Sequence, residues 1–376
     1  MNKTETGTPH PPVRIGLIGG FLGAGKTTAI LAIGEKIVSE YTKNVAVITN
    51  DQGEVLVDTK IVRDLGFSSA EVVGGCFCCR FPDFITAVNE VLTKGNPDII
   101  LAEPVGSCAD LPATVCEPLK RYYRGKFILA PFIVLVDPYR VQALLKGEDN
   151  ESINFLLFHQ IQEAEIVGIN KIDIISSGEI EKIEQFLRSI NERARIYRVS
   201  AKEGTGIDEL VNLIMEGEYK SYSYPQIDYT TYATAEAELG WFNSSCVITA
   251  QKLDIERVIR DFLTATSTKV KEKGGEIAHL KVHFENEEGF LKASLVSPDG
   301  DVSFTGTTPK SAHCGNLSIN ARIRLPPSAV AQCVGEAFEE IKNRYRIESA
   351  QWNEQCFSPP PPEPYHRILV GDVSTE

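Results

Sequence analysis

The sequence predicts an α/β domain whose mostly parallel sheet is covered by helices, followed by a smaller α+β domain. Two observations predict the first. Up to about residue 217, short runs dense in Val, Ile and Leu alternate with segments of helical periodicity. Strands that apolar are buried on both faces, as in a parallel sheet between helices. The glycine-rich run Gly19-Gly20-Phe21-Leu22-Gly23-Ala24-Gly25 also follows one such strand directly and opens a helix. A third observation predicts the second domain. After the Tyr- and Ser-rich stretch from Glu218 to Pro225, the order becomes strand, helix, several strands, helix, which is the segregated pattern of an α+β unit.

Taken in order, strands are expected over residues 13–18, 45–49, 71–73, 98–102, 127–136, 165–169 and 195–199, and helices over 29–39, 82–93, 178–191 and 206–215. The helix after residue 28 carries Ile30, Ile33, Ile37 and Val38 at helical spacing. Beyond the break come strands over 241–250, 277–284, 289–296, 302–305 and 318–325, with helices over 255–270 and 328–345. The division read from these patterns is a disordered polar leader over 1–12, a first domain over 13–217, a linker over 218–230, a second domain over 231–350 and an extended tail over 351–376.

The run from Gly20 to Thr27 fills the phosphate-loop pattern G-x-x-x-x-G-K-[ST]. Glycines let backbone N–H groups turn inward around phosphate oxygens, and the helix N-terminus adds its partial positive charge. Gly23, Ala24, Gly25 and Thr28 line that loop, Lys26 would reach the β- and γ-phosphates, and the Thr27 hydroxyl would hold Mg²⁺. A nucleoside triphosphate is therefore the expected ligand.

A second motif names the base. Asn170-Lys171-Ile172-Asp173 follows a short strand at once, and ligand residues of such folds sit at the carboxyl ends of strands. An aspartate there accepts two hydrogen bonds from N1–H and the exocyclic amine of guanine. Adenine offers no matching donor pair, and groups left unpaired make such discrimination large. Ser200-Ala201-Lys202, closing the next strand, resembles the S-A-K guanine loop of GTPases. The three motifs in this order favour GTP over ATP.

A third candidate site is Gly74-Gly75-Cys76-Phe77-Cys78-Cys79, between a strand and a helix. Thiolates at a helix N-terminus have lowered pKa values and bind metal more readily. Zn²⁺ takes four ligands in a structural site, so three cysteines leave one position open, as a transfer site needs. Buried inert cysteine and a redox couple between Cys76 and Cys79 are the other readings of the same residues.

Composition excludes several classes. With 38 basic against 51 acidic residues, net −13, the chain is not expected to bind nucleic acid or a lipid surface. No terminal segment has a signal-peptide pattern and no apolar run is long enough to span a bilayer. Nine cysteines, an odd number, suggest reduced thiols rather than a disulfide framework, and a cytoplasmic location.

With these residues in view, the chain resembles the CobW-type family of metallochaperone GTPases, which includes the nitrile hydratase activators. The resemblance rests on the phosphate loop, on Gly75-Cys76-Phe77-Cys78-Cys79 and on Asn170-Lys171-Ile172-Asp173. It extends to residues 47–54, similar to the family's first switch, and to Glu103-Pro104-Val105-Gly106, similar to its E-x-x-G second switch. It implies a P-loop GTPase domain with Lys26, Thr27 and Glu103 at the catalytic centre. It also implies a smaller C-terminal domain that helps recognise clients, and GTP-dependent delivery of zinc or cobalt from Cys76, Cys78 and Cys79 to a client metalloprotein. Two departures stand out. The first switch, Thr49-Asn50-Asp51-Gln52-Gly53-Glu54, has fewer glutamates than many members, and there is no His-rich tract.

Lesser candidates read as structural. Asp137, at the end of an apolar strand, is expected to cap the helix that starts at Pro138. Cys108 and Cys116 follow Glu103 closely enough to complete the cysteine site, and neither is assigned to it. Four residues along a strand set His279 and His283 ~13 Å apart, too far to share an ion, and they are taken as surface residues. Trp352, Cys356, Phe357 and the run Pro359-Pro360-Pro361-Pro362 combine apolar anchors with a stiff segment suited to a groove on a client, the alternative being a disordered end. Two functions of different class remain: metal delivery driven by GTP hydrolysis, and GTP-gated remodelling of a metalloprotein in which the cysteines are structural or sense metal.

Overall fold

Eight strands, most of them rich in Val, Ile and Leu, form one sheet, and every pairing in it is parallel. A computed structural model describes residues 12–51, 62, 67–147, 151–295, 302–307 and 312–370. The strands are β1 (Val13–Gly20), β2 (Val45–Asp51), β3 (Ser68–Val73), β4 (Ile99–Glu103), β5 (Phe127–Leu129), β6 (Ile133–Val136), β7 (Ile166–Ile169) and β8 (Arg195–Arg198). Their order is β3-β2-β4-β1-β6-β7-β8, with β5 paired to the first residues of β1. The stretch expected as one strand over 127–136 is two. Pro131 lies at the break, where a residue without an N–H cannot continue the ladder.

The helices are α1 (Lys26–Tyr41), α2 (Phe81–Gly95), α3 (Glu117–Tyr122), α4 (Pro138–Lys146), α5 (Glu151–Gln162), α6 (Ser177–Ile190) and α7 (Ile207–Glu216). A π-helical turn, Pro112–Cys116, leads into α3. Because side chains alternate along a strand, Val47 and Leu101 meet α1 and α7 on one face. Ile48 and Ile100 belong to the core under α2, α5 and α6 on the other.

The residues read as a linker run packed along the first sheet. Tyr219 N donates to Leu129 O over 2.8 Å and Tyr219 Oη to Glu117 Oε1 over 3.1 Å. They lead into α8 (Tyr229–Ala237), whose Tyr232 is buried in the first domain's core.

The C-terminal sheet is antiparallel throughout, ordered β12-β11-β10-β13-β9-β14. Its strands are β9 (Gly240–Leu253), β10 (Glu276–Asn286), β11 (Gly289–Leu295), β12 (Ser303–Gly306), β13 (Ala312–Arg324) and β14 (Glu348–Phe357), and α9 (Ile255–Glu272) and α10 (Pro327–Tyr345) pack into its core. Two expectations are corrected here. Residues 351–357, read as the start of a tail, belong to β14, which adds to the edge of β9. Their apolar anchors serve this domain: Trp352 stacks on Phe338 at 4.9 Å, Phe357 packs on Trp241 at 6.0 Å, and Cys356 Sγ donates to Pro327 O over 2.9 Å. His279 and His283 are buried rather than on the surface, because β10 lies inside the sheet between β11 and β13. Phe290 stacks on the His283 ring at 5.7 Å.

Phe84 on α2 is fully buried, 4.5 Å from Phe77 and 6.3 Å from Phe81 by ring centroids. Phe84→Ala should lower unfolding free energy by about 3–5 kcal/mol, measured by chemical denaturation of the full chain; an unchanged midpoint would contradict this packing.

Candidate functional site

The phosphate loop turns as its glycines require. Gly20, Gly23 and Gly25 have φ of 129°, 82° and 89°, conformations that cost other residues dearly. A Cβ on Gly20 would fall 2.2 Å from Leu135 O, and one on Gly25 would fall 2.3 Å from Asn170 Nδ2. Lys26 and Thr27 are buried at the start of α1, with Thr28 half-buried beside them. Lys26 Nζ donates to Gly20 O over 2.9 Å, and Thr27 Oγ1 donates to Glu103 Oε1 over 3.1 Å. A glycine cradle, a helix N-terminus, an ammonium and a hydroxyl beside a carboxylate fit a triphosphate with Mg²⁺.

The base motifs meet the loop through one carboxamide. Asn170 Nδ2 donates to Ala24 O over 2.8 Å, while its Oδ1 accepts from Ala201 N at 3.0 Å. Asp173 is exposed at the rim, its Oδ1 accepting from Ser200 Oγ at 2.6 Å, and Lys202 is exposed beside it. Lys171, in the left-handed region at φ 59°, pairs with Asp137 at 2.6 Å. Asp137 caps α4 as expected, accepting from the N–H groups of Tyr139 and Arg140.

The two segments expected as switches leave neighbouring strands at this edge. Thr49 on β2 is in register with Glu103 on β4, and both are buried. Gln52, Gly53 and Glu54 of the expected first switch lie outside the described residues. The sequence reading missed the role of Asn50. Its Nδ2 donates to Val72 O over 3.0 Å and to Gly75 O over 2.7 Å, and its Oδ1 accepts from Phe77 N at 2.9 Å. The first switch strand is thereby bolted to the cysteine loop. An asparagine ending a buried strand, where the chain must turn, was the available signal.

Cys76, Cys78 and Cys79 gather as predicted, their sulfurs within 4.8 Å of one another. Cys78 Sγ lies 2.7 Å from Cys76 Sγ and 3.8 Å from Cys79 Sγ. Arg80 N donates to Cys76 O over 2.9 Å, which winds the loop into the first turn of α2. Cys108 is buried nearby but outside the group of three sulfurs that lie within 4.8 Å of one another. Glu103 and Cys108 stand either side of a tight turn, and only the fold brings that turn over the cysteine loop. Cys116 lies apart, with Glu165, Glu117 and Glu163 as its charged neighbours. Donation from Cys108, then Cys78 and Cys79, holds the Cys76 thiol well below its ordinary range. Cys79 is pushed up to about 12, first by donating to Cys76. The cluster thus concentrates thiolate character on one buried sulfur.

The C-terminal residues lie across this cluster instead of waiting for a client. Glu363 N donates to Cys79 Sγ over 3.2 Å and Tyr365 N to Cys78 O over 2.8 Å. Further on, Arg367 Nε pairs with Asp110 Oδ2 at 2.7 Å and Ile368 N donates to Ala113 O over 2.9 Å.

Residues 14–198 match the family described as CobW/HypB/UreG, nucleotide-binding domain. This part of the chain is a CobW/HypB/UreG nucleotide-binding domain. The chain is 29% identical over 196 residues to the zinc chaperone YjiA of Escherichia coli, covering 50% of this chain and 58% of that one. It is 34% identical over 162 residues to the zinc chaperone YeiR of the same organism, covering 43% and 47%. It is 26% identical over 234 residues to zinc-regulated GTPase metalloprotein activator 1 of Dictyostelium discoideum, covering 53% and 48%. The chain spans about half the length of the curated relatives it matches, between 47% and 58%. A crystal structure of Zn(II)-bound YjiA GTPase aligns over 87% of this chain and 99% of that one at 20% identity and a TM-score of 0.39, too loose a likeness to add to the fold described above. No helix among the described residues is long and apolar enough to cross a membrane.

Replacing Asn50 by Ala in this CobW/HypB/UreG domain would leave the Val72 and Gly75 carbonyls and the Phe77 amide without their partner. We expect a loss of about 1–3 kcal/mol in unfolding free energy and faster hydrogen exchange at the Phe77 amide. Unchanged protection at Phe77 would contradict the role given to Asn50.

Proposed function

We propose that this chain binds and hydrolyses GTP, and that the cycle governs how a transition metal, zinc before cobalt, is held at Cys76, Cys78 and Cys79 and passed to a client metalloprotein. One observation carries the reading. The thiol loop is hydrogen-bonded through Asn50 to the end of β2, one residue beyond Thr49, whose register partner Glu103 accepts from Thr27 of the phosphate loop. Nucleotide chemistry and metal chemistry share one edge of one sheet. The zinc-related names of the relatives support the choice of metal.

In this reading the backbone N–H groups from Gly23 to Thr28 bind the phosphates and Lys26 neutralises charge on the β- and γ-oxygens. Thr27 would hold Mg²⁺, which would supply further charge neutralisation there. Glu103 would orient groups beside the γ-phosphate, and catalysis would be positioning plus electrostatics. Asp173 would accept the two guanine donors, with Asn170 and the Ser200-Ala201-Lys202 loop holding the base site together. Metal at the thiols and GTP at the loop would be coupled reciprocally, as linkage requires.

Lys26→Ala should lower GTP turnover by about 100- to 1,000-fold; turnover at the parental rate would remove the phosphate-loop assignment. Asp173→Asn should weaken GTP and favour xanthosine triphosphate, because the amide presents a donor where xanthine presents a carbonyl. A parent that binds ATP as tightly as GTP would remove the guanine argument. The metal reading is tested by titrating Zn²⁺ and Co²⁺ with a non-hydrolysable GTP analogue, with GDP and without nucleotide. Loss of binding when Cys76, Cys78 and Cys79 are all serine is expected, and affinities equal in every nucleotide state would overturn delivery in favour of a structural site.

A further inference from the structure

We infer that residues 358–370 form a lid over the thiol cluster, latched shut by the pairing of Arg367 with Asp110, and that opening of the lid sets the rate at which metal leaves. The inference rests on the proposed metal site at Cys76, Cys78 and Cys79 and adds the device that keeps its ion from solvent.

The lid lies where the cluster opens. Cys76 and Cys78 are buried and Cys79 is half-buried, so an ion would leave on the side of Cys79. Glu363 N donates to Cys79 Sγ over 3.2 Å and Tyr365 N to Cys78 O over 2.8 Å, which lays the strap across that side. The segment leading there is stiff. Pro359 and Pro362 are buried while Pro360 and Pro361 are exposed, the three-residue period of a polyproline helix resting on a surface. It starts where β14 ends, at Phe357, which is fixed by packing on Trp241. A stiff segment fixed at one end is held down by what grips it at the other.

The far end carries the latch. Asp110 is buried, and Arg367 Nε donates to its Oδ2 over 2.7 Å. Tyr229 completes the seat. Its hydroxyl donates to the same carboxylate oxygen over 2.8 Å, and the Arg367 guanidinium stands 5.4 Å from its ring centroid. Around the latch, His366 packs between Phe81 at 5.1 Å and Tyr122 at 4.9 Å. Ile368 N donates to Ala113 O and Ile368 O accepts from Tyr224 Oη, both over 2.9 Å. Residues 358–370 belong to no strand, so the strap is held by separate attachments rather than by a ladder. A hydrogen bond between charged groups is about twice as strong as a neutral one, and sulfur is a weak acceptor. The contact over Cys79 therefore yields easily, and the pair of Arg367 with Asp110 decides how often the strap lifts.

The test uses the full chain, with Zn²⁺ as the probe. Hydrogen exchange at the Glu363 and Tyr365 amides reads the lid in metal-free protein. Transfer of Zn²⁺ to a chelator in saturating excess reads the exit. Arg367→Ala should speed both by roughly 10- to 150-fold, the factor for losing one hydrogen bond between charged groups. Arg367→Lys keeps a cation but not the planar fork, and should fall between the parent and Arg367→Ala. Arg260→Ala, which removes an exposed ion pair on α9, should match the parent. Circular dichroism reports that each variant is folded. If Arg367→Ala is not folded, Arg367→Lys decides: intermediate rates support the latch and parental rates overturn it. Parent amides that exchange as freely as those of an unstructured chain would overturn the lid. So would Arg367→Ala with parental exchange, or with fast exchange and parental Zn²⁺ transfer, and either result leaves the three-cysteine site standing. A parent that holds no Zn²⁺ in any nucleotide state would overturn that site, and the exit role of the lid with it.

Discussion

Carboxamide side chains at the carboxyl edge of the parallel sheet, Asn50 and Asn170 above all, fasten the loops on which the rest of this structure depends. Strands that end side by side leave their following loops with buried backbone groups and no ladder to satisfy them, and such groups are rarely left unpaired. An amide side chain offers two donors and an acceptor in one plane. Asn50 spends its groups on Val72, Gly75 and Phe77, Asn170 on Ala24 and Ala201, and Gln160 on Gly106 and Cys108. Asn170 thereby registers the phosphate loop against the base loops, Asn50 ties the end of β2 to the thiol loop, and Gln160 stiffens the turn after Glu103. Loss of any one amide takes the partner from two or more backbone groups at once.

The parts of the site that were legible in the sequence are those encoded locally. Gly20 to Thr27 and Cys76 to Cys79 are short motifs whose strand and helix contexts could be read from Val13 onward and from the apolar spacing of α1 and α2. What was not legible depends on residues far apart in the chain. Asn50 reaches the thiol loop only because β3, which leads into that loop, lies beside β2. His279 and His283 alternate with apolar neighbours just as surface residues do. They are nevertheless buried, because β11 and β13 flank β10 and Phe290 covers His283. The segment from Trp352 to Phe357 carries no strong strand signal of its own. Its pairing with β9 is set by the packing of Trp352 on Phe338, on α10, which comes before it in the chain.

The second switch turn is restrained from the C-terminal side as well. Ser107 Oγ donates to Glu236 Oε1 over 2.5 Å, Ala109 N donates to Tyr232 Oη over 3.0 Å, and Tyr229 Oη donates to Asp110 Oδ2 over 2.8 Å. All three partners lie on α8, immediately before β9. Across the molecule, Arg140 of α4 pairs with Glu276 at 2.5 Å and donates to Ile277 O over 2.8 Å at the start of β10. The C-terminal sheet is thus joined to the first domain beside the base loop and beside the second switch, so rigid motion of either element is shared with it.

Charge gives the C-terminal strap its physical sense. Three thiolates around one divalent ion would carry net charge −1, which a buried site tolerates only where fixed dipoles face the sulfurs. The first turn of α2 supplies one such dipole, and the Glu363 amide aimed at Cys79 Sγ supplies another. Burial pushes the Glu236 carboxyl up to about 8, so that near neutral pH it adds little negative charge beside the cluster. Arg367 ties the strap to Asp110, so the Glu363 amide is held over Cys79 from the far end as well.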